Sequence, residues 1–368
     1  MGQKKAIDTI LDALVDEHVS DIHFKVGSPP IVRRSGVIKH SEGFPRFTNE
    51  HLARITSEVT NEAQRELIST GAEVDLAYSL SGKARFRVNI FNQRGTPAMV
   101  MRKIPFEIPK LSQLGLPEVV KNICSEQRGL ILVTGATGSG KSTTLAAMIN
   151  EINENREAHI VTIEDPIEFL HPDRKCSICQ REVGIDTASW AAALRSVFRQ
   201  DPDVILIGEM RDAETAMIAI SGAETGHLVM STLHTTDAPE TINRIIDMFP
   251  AYQQKQIRIQ LGGLLKAVIS QRLLPAATNR ERVLATEILV HTATVGNCII
   301  DPEKFHLIHE TMEQGGNQYG MQTFDMCLFH LLKDGQIDEE TALAAATNPN
   351  SLILKIKGVE SADDWRIE

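Results

Sequence analysis

"GLILVTGATGSGKSTTLAAMINEIN" occupies residues 129–153, and its reading decides the fold of everything around it. An apolar, strand-like run stops at Gly135, loosens through residues 136–139, and resumes with helical character at Lys141. Gly135, Gly140, Lys141 and Ser142 satisfy the pattern G-x-x-x-x-G-K-[ST]. Along such a turn (Gly135, Thr137, Gly138, Ser139, Gly140) successive backbone N–H groups face one concavity, where the start of the next helix adds its positive dipole end. A chain of phosphates fits that concavity. Lys141 can reach the outer phosphates, and the hydroxyl of Ser142, with Thr143 beside it, can meet Mg²⁺. A flexible Gly/Ser linker would carry the same residue types, but not between a strand pattern and a helix pattern.

Working outward, 368 residues exceed what one compact core holds, so two domains are expected. The chain is 42% hydrophobic and 23% charged, ordinary for a globular protein, and no apolar run approaches the length of about 18 residues that suggests a membrane span. Acids interrupt the apolar positions of the N-terminal "MGQKKAIDTILDALVDEH", so it does not read as a signal peptide, and no myristoylation signal follows Gly2. The formal net charge of −10 argues against wrapping nucleic acid. Five scattered cysteines suit a reducing cytoplasm; Cys176 and Cys179 form one C-x-x-C without a second pair at zinc spacing.

The first hundred residues read as α+β. Residues 7–18 have helical spacing, "SDIHFKVGSPPIVRRSG" reads as strand–turn–strand, and residues 48–59 and 61–69 look helical. "EVDLAYSLSGKARFRVNIFNQRGTPAMVMRKI" predicts two or three antiparallel strands, and the proline-rich 105–117 reads as a linker. From residue 118, apolar strands expected at 130–134, 159–163, 203–207 and 228–233 alternate with helices, the signature of a mostly parallel sheet. After about Ala267 the chain reads as mainly helical.

The acids suggest what happens to a bound triphosphate. "DVILIGEMRD" (203–212) ends an apolar strand at Glu209, which is expected on a strand neighbouring the phosphate loop and suits a contact to Mg²⁺ or to the attacking water. "HIVTIEDPIEF" (159–169) ends a second strand at Glu164 and Asp165. Such strand ends form the ligand crevice of open α/β sheets. "GHLVMSTLHTTDA" (226–238) puts His227 and His234 at the two ends of a strand; either can sense a phosphate or relay a proton, and a structural hydrogen bond serves His227 equally well. Arg195 and Arg199 stand four apart on one helix face, available for local acids or for a transferring phosphoryl group, including that of a neighbouring subunit.

"GATGSGKST", "TIEDPIEF", "ALRSVFRQDPDVILIGEMRD" and "TGHLVMSTLHTTDA" resemble the Walker A, Asp, Walker B and His boxes of the secretion ATPase superfamily, and within it the PilT/PilU retraction ATPases of type IV pili. The likeness runs along nearly the whole chain, including "FRVNIFNQRGTPAMVMRKIP" and "GMQTFDMCLFHLL". It implies a PAS-like domain over 1–104, the linker 105–117 and a RecA-like ATPase domain over 118–368 with a helical C-terminal part. It further implies ATP and Mg²⁺ as ligands, a homo-hexameric ring at the cytoplasmic face of the inner membrane, and a pilus platform protein as partner. A paralogous retraction ATPase is a further candidate partner. Arg87 and Arg102 match arginines that reach nucleotide phosphates in the family. The zinc site and N-terminal extension of PilB-type assembly ATPases have no counterpart here. The PilT-type AIRNLI motif is replaced by "TATVGNCII" (292–300), with Gly296 in the arginine position, and "NPNSLILKIKGV" is nearer the PilU branch. Three functions follow: a retraction motor, a nucleotide-gated scaffold for another motor, and a nucleic-acid translocase, the last opposed by the acidic charge.

Overall fold

A computed structural model describes residues 5–16, 18–34, 36–104, 107–278 and 282–358. Contacts divide the chain into two compact units, one ending at Glu107 and the other running from Ile108 onward apart from residues 168–170.

In the first unit, six antiparallel strands are β1 (Val19–Phe24), β2 (Ile31–Arg34), β3 (Val37–His40), β4 (Val74–Leu80), β5 (Ala84–Gln93) and β6 (Thr96–Ile104), in the order β3-β2-β1-β6-β5-β4. The period-2 pattern of "VDLAYSL" explains β4: Val74, Leu76, Tyr78 and Leu80 are buried while Asp75 and Ser79 face outward. Helices α1 (Ala6–Leu14), α2 (Asn49–Val59) and α3 (Glu62–Ser69) accompany the sheet. Thr48 and Asn61 close capping boxes on α2 and α3, so both helices begin one residue after the expected start. All four residues of β3 are exposed, which is why no apolar contrast marked it.

The second unit is built on β7 (Gly129–Thr134), β8 (His159–Glu164), β9 (Ser177–Glu182), β10 (Val204–Ile207), β11 (Leu228–Leu233), β12 (Leu265–Pro275) and β13 (Arg282–Val290). Their order is β13-β12-β7-β11-β10-β8-β9, and only β13 runs antiparallel to its neighbour. Helices α4 (Val119–Cys124), α5 (Lys141–Asn155), α6 (Trp190–Val197), α7 (Ala213–Glu224), α8 (Ala238–Asp247) and α9 (Ala251–Leu264) alternate with the strands. β7 and β11 are buried along their whole length, as strands covered on both faces must be. Leu111, in a single 3-10 turn within the proline-rich stretch, packs into this unit's core. Pro105 and Phe106, inside the stretch read as linker, lie outside the described residues.

Two expectations need correction. The segment after Ala267 does not turn helical at once: β12 and β13 pair over nine residues, and helices α10 (Ala293–Ile300), α11 (Ile308–Gln314), α12 (Gly316–Tyr319), α13 (Phe324–Lys333), α14 (Glu339–Ala345) and α15 (Pro349–Ile356) follow only afterwards. Buried Ser270, Gln271, Thr286 and Glu287 interrupt the apolar runs of the hairpin, so its strand period was masked. Nor does β10, which carries the approach to Glu209, neighbour β7; β11 lies between them.

Glu287 is nearly inaccessible, and its carboxylate accepts hydrogen bonds from the backbone N–H of Ala238, 2.8 Å away, and of Phe324. Burial, with Asp237 nearby, pushes its pKa up to about 7. A raised acid favours the folded state fully below its unfolded value and progressively less as pH rises through about 7. Glu287→Gln should therefore melt increasingly above the wild type as pH is raised from 5 to 8.5, and parallel melting curves across that range would refute the linkage.

Candidate active site

The turn after β7 is held by a close approach that only glycine permits. A Cβ on Gly135, whose φ is +137°, would lie 2.4 Å from the carbonyl oxygen of Gln271 and 2.6 Å from Ser139 Oγ. Gly138 and Gly140 take φ of +80° and +95°, conformations that side chains resist. Gly140 is the N-cap of α5, and Lys141 begins the helix. Lys141 Nζ donates to the carbonyl oxygens of Gly135 (2.7 Å) and Ala136 (3.0 Å), drawing its ammonium back over the turn. Burial lowers the Lys141 pKa, while the nearby Glu209 carboxylate opposes that shift. Ser139 Oγ is buried in the cradle and has no hydrogen-bond partner among the described residues. A concave turn of glycines, a helix start, a buried cation and an unsatisfied hydroxyl together fit a phosphate chain. Ser142 is exposed at the first turn of α5 and Thr143 half-buried, so the Ser142 hydroxyl is accessible to a divalent cation held with the phosphates.

The acids gather at the same edge of the sheet, where β7, β8, β10 and β11 all end. Glu209 follows β10. The N–H of Gly208 donates to Ile163 O (2.8 Å) and Thr232 Oγ1 donates to Gly208 O (2.7 Å), which fixes the backbone on both sides. Arg211 Nη2 is 2.7 Å from Glu209 Oε2, and His234 Nε2 is 3.3 Å from Glu209 Oε1. Burial raises the Glu209 carboxyl, but Arg211 and His234 outweigh it and hold the group below its ordinary range. Glu164 ends β8, beside β10, and its Oε1 accepts from Thr162 Oγ1 (2.6 Å) and Gln180 Nε2 (3.1 Å). Asp165 is exposed, and its charge also reaches Arg211. An ionised Glu209, a second oriented carboxylate, a histidine and a lysine thus converge at one strand edge.

The remaining expected residues make contacts of their own. His227 precedes β11 at the end opposite His234, about 23 Å along the strand at roughly 3.3 Å per residue. Its Nδ1 meets Gly222 O at 2.9 Å and its ring packs on Phe198. Arg195 pairs with Glu214 at 2.9 Å, both exposed, and Arg199 sits beyond the end of α6 in a 3-10 turn, donating to Arg195 O. No hydrogen bond or ion pair among the described residues joins either arginine to Lys141, Glu209 or His234. In the first unit Arg87 and Arg102 are cross-strand partners on β5 and β6, and Arg102 Nε donates to Asp21 Oδ1 at 2.9 Å. Sequence reasoning missed Arg211, Thr162, Gln180 and Gln271. Arg211 stands in the same "GEMRD" as Glu209, and Thr162 is two residues before Glu164 on the same strand face; no signal pointed to Gln271, whose Nε2 donates to Thr144 Oγ1. Gly296 is buried on α10: a Cβ there would lie 2.7 Å from Gly262 O on α9, so an arginine cannot occupy this position without parting the two helices.

The fold and the cradle define a phosphate-loop ATPase with an additional N-terminal unit. The chain belongs to the type II/IV secretion system protein family, whose model matches residues 3–322. It is 42% identical over 345 residues to the type IV pilus retractation ATPase PilT of Pseudomonas aeruginosa, covering 94% of this chain and 99% of that one. It is 41% identical over 358 residues to the type IV pilus ATPase PilU of the same organism, covering 97% and 93%. A crystal structure of the pilus retraction motor PilT with bound ADP matches with a TM-score of 0.85 at 45% identity, covering 95% of this chain and 99% of that one.

The close approach at Gly135 yields a direct test. Gly135→Ala should cost about 1–3 kcal/mol of stability from backbone strain alone, read as a lowered denaturation midpoint. An unchanged midpoint would show that the turn relaxes easily and that the cradle is not tightly specified.

Proposed function

We propose that this chain is an ATP-hydrolysing, hexameric motor that drives or assists type IV pilus retraction. The observation that carries the proposal is the meeting of Lys141, Glu209 and His234 at the edge where the phosphate loop and the Glu164 strand also end. In this reading Lys141 leaves the Gly135 and Ala136 carbonyls to hold the outer phosphates, and the N–H groups of Gly135, Thr137, Gly138, Ser139 and Gly140 line the cradle. Ser142 and Glu209 would hold Mg²⁺, with Thr143 beside them; the ion, when bound, offsets phosphate charge as the outer phosphoryl group transfers. Glu164 orients the attacking water and takes its proton, and His234 senses the outer phosphate through its contact with Glu209. Arg195 and Arg199 act on nucleotide bound by a neighbouring subunit, and Arg87 and Arg102 reach nucleotide phosphates across or beside the linker. The partners are further copies of the chain and a platform protein at the inner face of the cytoplasmic membrane.

One observation favours an accessory role within the same machinery. Gly296 is locked between helices where an arginine would stand in a PilT-type motor, and identities of 42% to PilT and 41% to PilU support neither branch over the other. A strain deleted for this chain and complemented with Glu209→Gln separates the readings. Failure to restore twitching supports a hydrolysing motor, whereas restoration by the Gln variant supports the nucleotide-gated scaffold.

Removing the Lys141 charge with Lys141→Ala should abolish turnover and weaken nucleotide binding, checked by phosphate release and by binding of a fluorescent nucleotide. Glu164→Gln and Glu209→Gln should keep nucleotide binding but lower turnover by roughly 10²-fold or more. Normal turnover by one of the two would assign the chemistry to the other.

A further inference from the structure

The first unit has a cleft of about 800 Å³ where the ends of β1, β2 and β3 approach the β5–β6 turn. Lys25, Arg46, Arg94 and His40 line it together with Ser28 and Phe44, and no acidic residue is among the described residues that form its wall. Three cationic side chains thus face one concavity in a chain whose net charge is −10. No ion pair to a described residue engages Lys25, Arg46 or Arg94.

Its walls are pinned by main-chain bonds rather than left as loose loops. The N–H of Gly27 donates to Phe47 O at 2.8 Å, that of Phe47 to Ser28 O at 2.9 Å, and that of Ser41 to Pro30 O at 2.8 Å. On the floor, buried Ser28 brings its Oγ to 3.2 Å from His40 Nδ1, and Arg46 Nη1 donates to Gly27 O at 3.2 Å. The rim is strained. Arg94, at the tip of the β5–β6 turn, has φ of +53°, a left-handed conformation that glycine and asparagine adopt readily and a long side chain does not. Gly95, with φ of +75°, follows it, so a turn of this shape would be easier with Asn-Gly than with Arg-Gly. Strain of this kind persists only where the surrounding structure holds it, and it clusters at ligand-binding sites.

We infer that this cleft is a second anion site, separate in sequence and in structural unit from the phosphate loop, and that it binds a phosphate-bearing ligand. Guanidinium groups such as those of Arg46 and Arg94 match phosphate oxygens in a fork, Lys25 adds a point charge, and His40 with Ser28 offers polar contacts at the floor. The cleft volume lies in the range of small-molecule sites, and half-buried Phe44 gives the wall an apolar face. Two sources carry this chemistry: a free phosphorylated molecule, or the headgroup of an anionic lipid.

The test uses the full chain carrying Lys141→Ala, so that the phosphate loop contributes little. Calorimetric titration with inorganic pyrophosphate, and co-sedimentation with phosphatidylglycerol–phosphatidylcholine vesicles against phosphatidylcholine alone, distinguish the two sources. Binding in at least one arm is expected, weakened at least tenfold by Arg94→Asn and by Lys25→Gln, and unchanged by Lys121→Gln, an exposed residue of α4. Arg94→Asn keeps the left-handed turn, so its melting temperature should not fall below that of its parent, which separates lost binding from lost folding. Failure of both arms, equal binding by the cleft variants, or capture of poly-L-glutamate in the cleft with no binding in either phosphate arm would each overturn the assignment.

Discussion

A buried lysine ammonium organises the second unit. Lys141, with 8% of its surface exposed, has its charge satisfied by two main-chain carbonyls of the turn that precedes it and faces the carboxylate of Glu209. A cation so placed destabilises a fold unless polar groups surround it. The surrounding features supply them: the glycine that lets Gln271 O approach, the hydrogen bonds that hold Gly208, and the Arg211 and His234 contacts that keep Glu209 ionised. Under the proposed function, phosphates take the place of those carbonyls as partners of the ammonium.

Parallel strands make this economical. Because β7, β11, β10 and β8 run in one direction, each ends at the same edge, and four short sequence segments deliver side chains to one place. The same geometry separates the two histidines of one segment. His227 belongs to the same segment as His234, yet six strand residues carry it to the opposite edge. Proximity in sequence is a poor guide along a strand, where each residue advances about 3.3 Å.

The phosphate loop, the two acids and the parallel core were legible because each rests on local pattern: glycine spacing, apolar runs, and an acid at a strand end. The β12–β13 hairpin was not, since buried Gln271, Thr286 and Glu287 make their side-chain hydrogen bonds to residues distant in sequence, Thr144, Gln322 and Ala238. Arg211 was overlooked because its partner lies two residues away around a turn, a spacing that no helix or strand period marks. Strand order was likewise beyond reach, as β11 enters between β7 and β10 although it follows both in sequence. The glycine at 296 stood out in the sequence only as a departure from the AIRNLI motif; its close packing against Gly262 was not legible there.

The account stands on one chemical statement, that the cradle and its acids hydrolyse ATP with the help of a divalent cation. Steady-state phosphate release from ATP by the purified chain, with Mg²⁺ titrated in and then removed by EDTA, addresses it most directly. The account predicts release that rises with Mg²⁺ to a plateau and stops on chelation. Release that continues undiminished in EDTA, or no release at any Mg²⁺ concentration from a folded, nucleotide-binding chain, would contradict it.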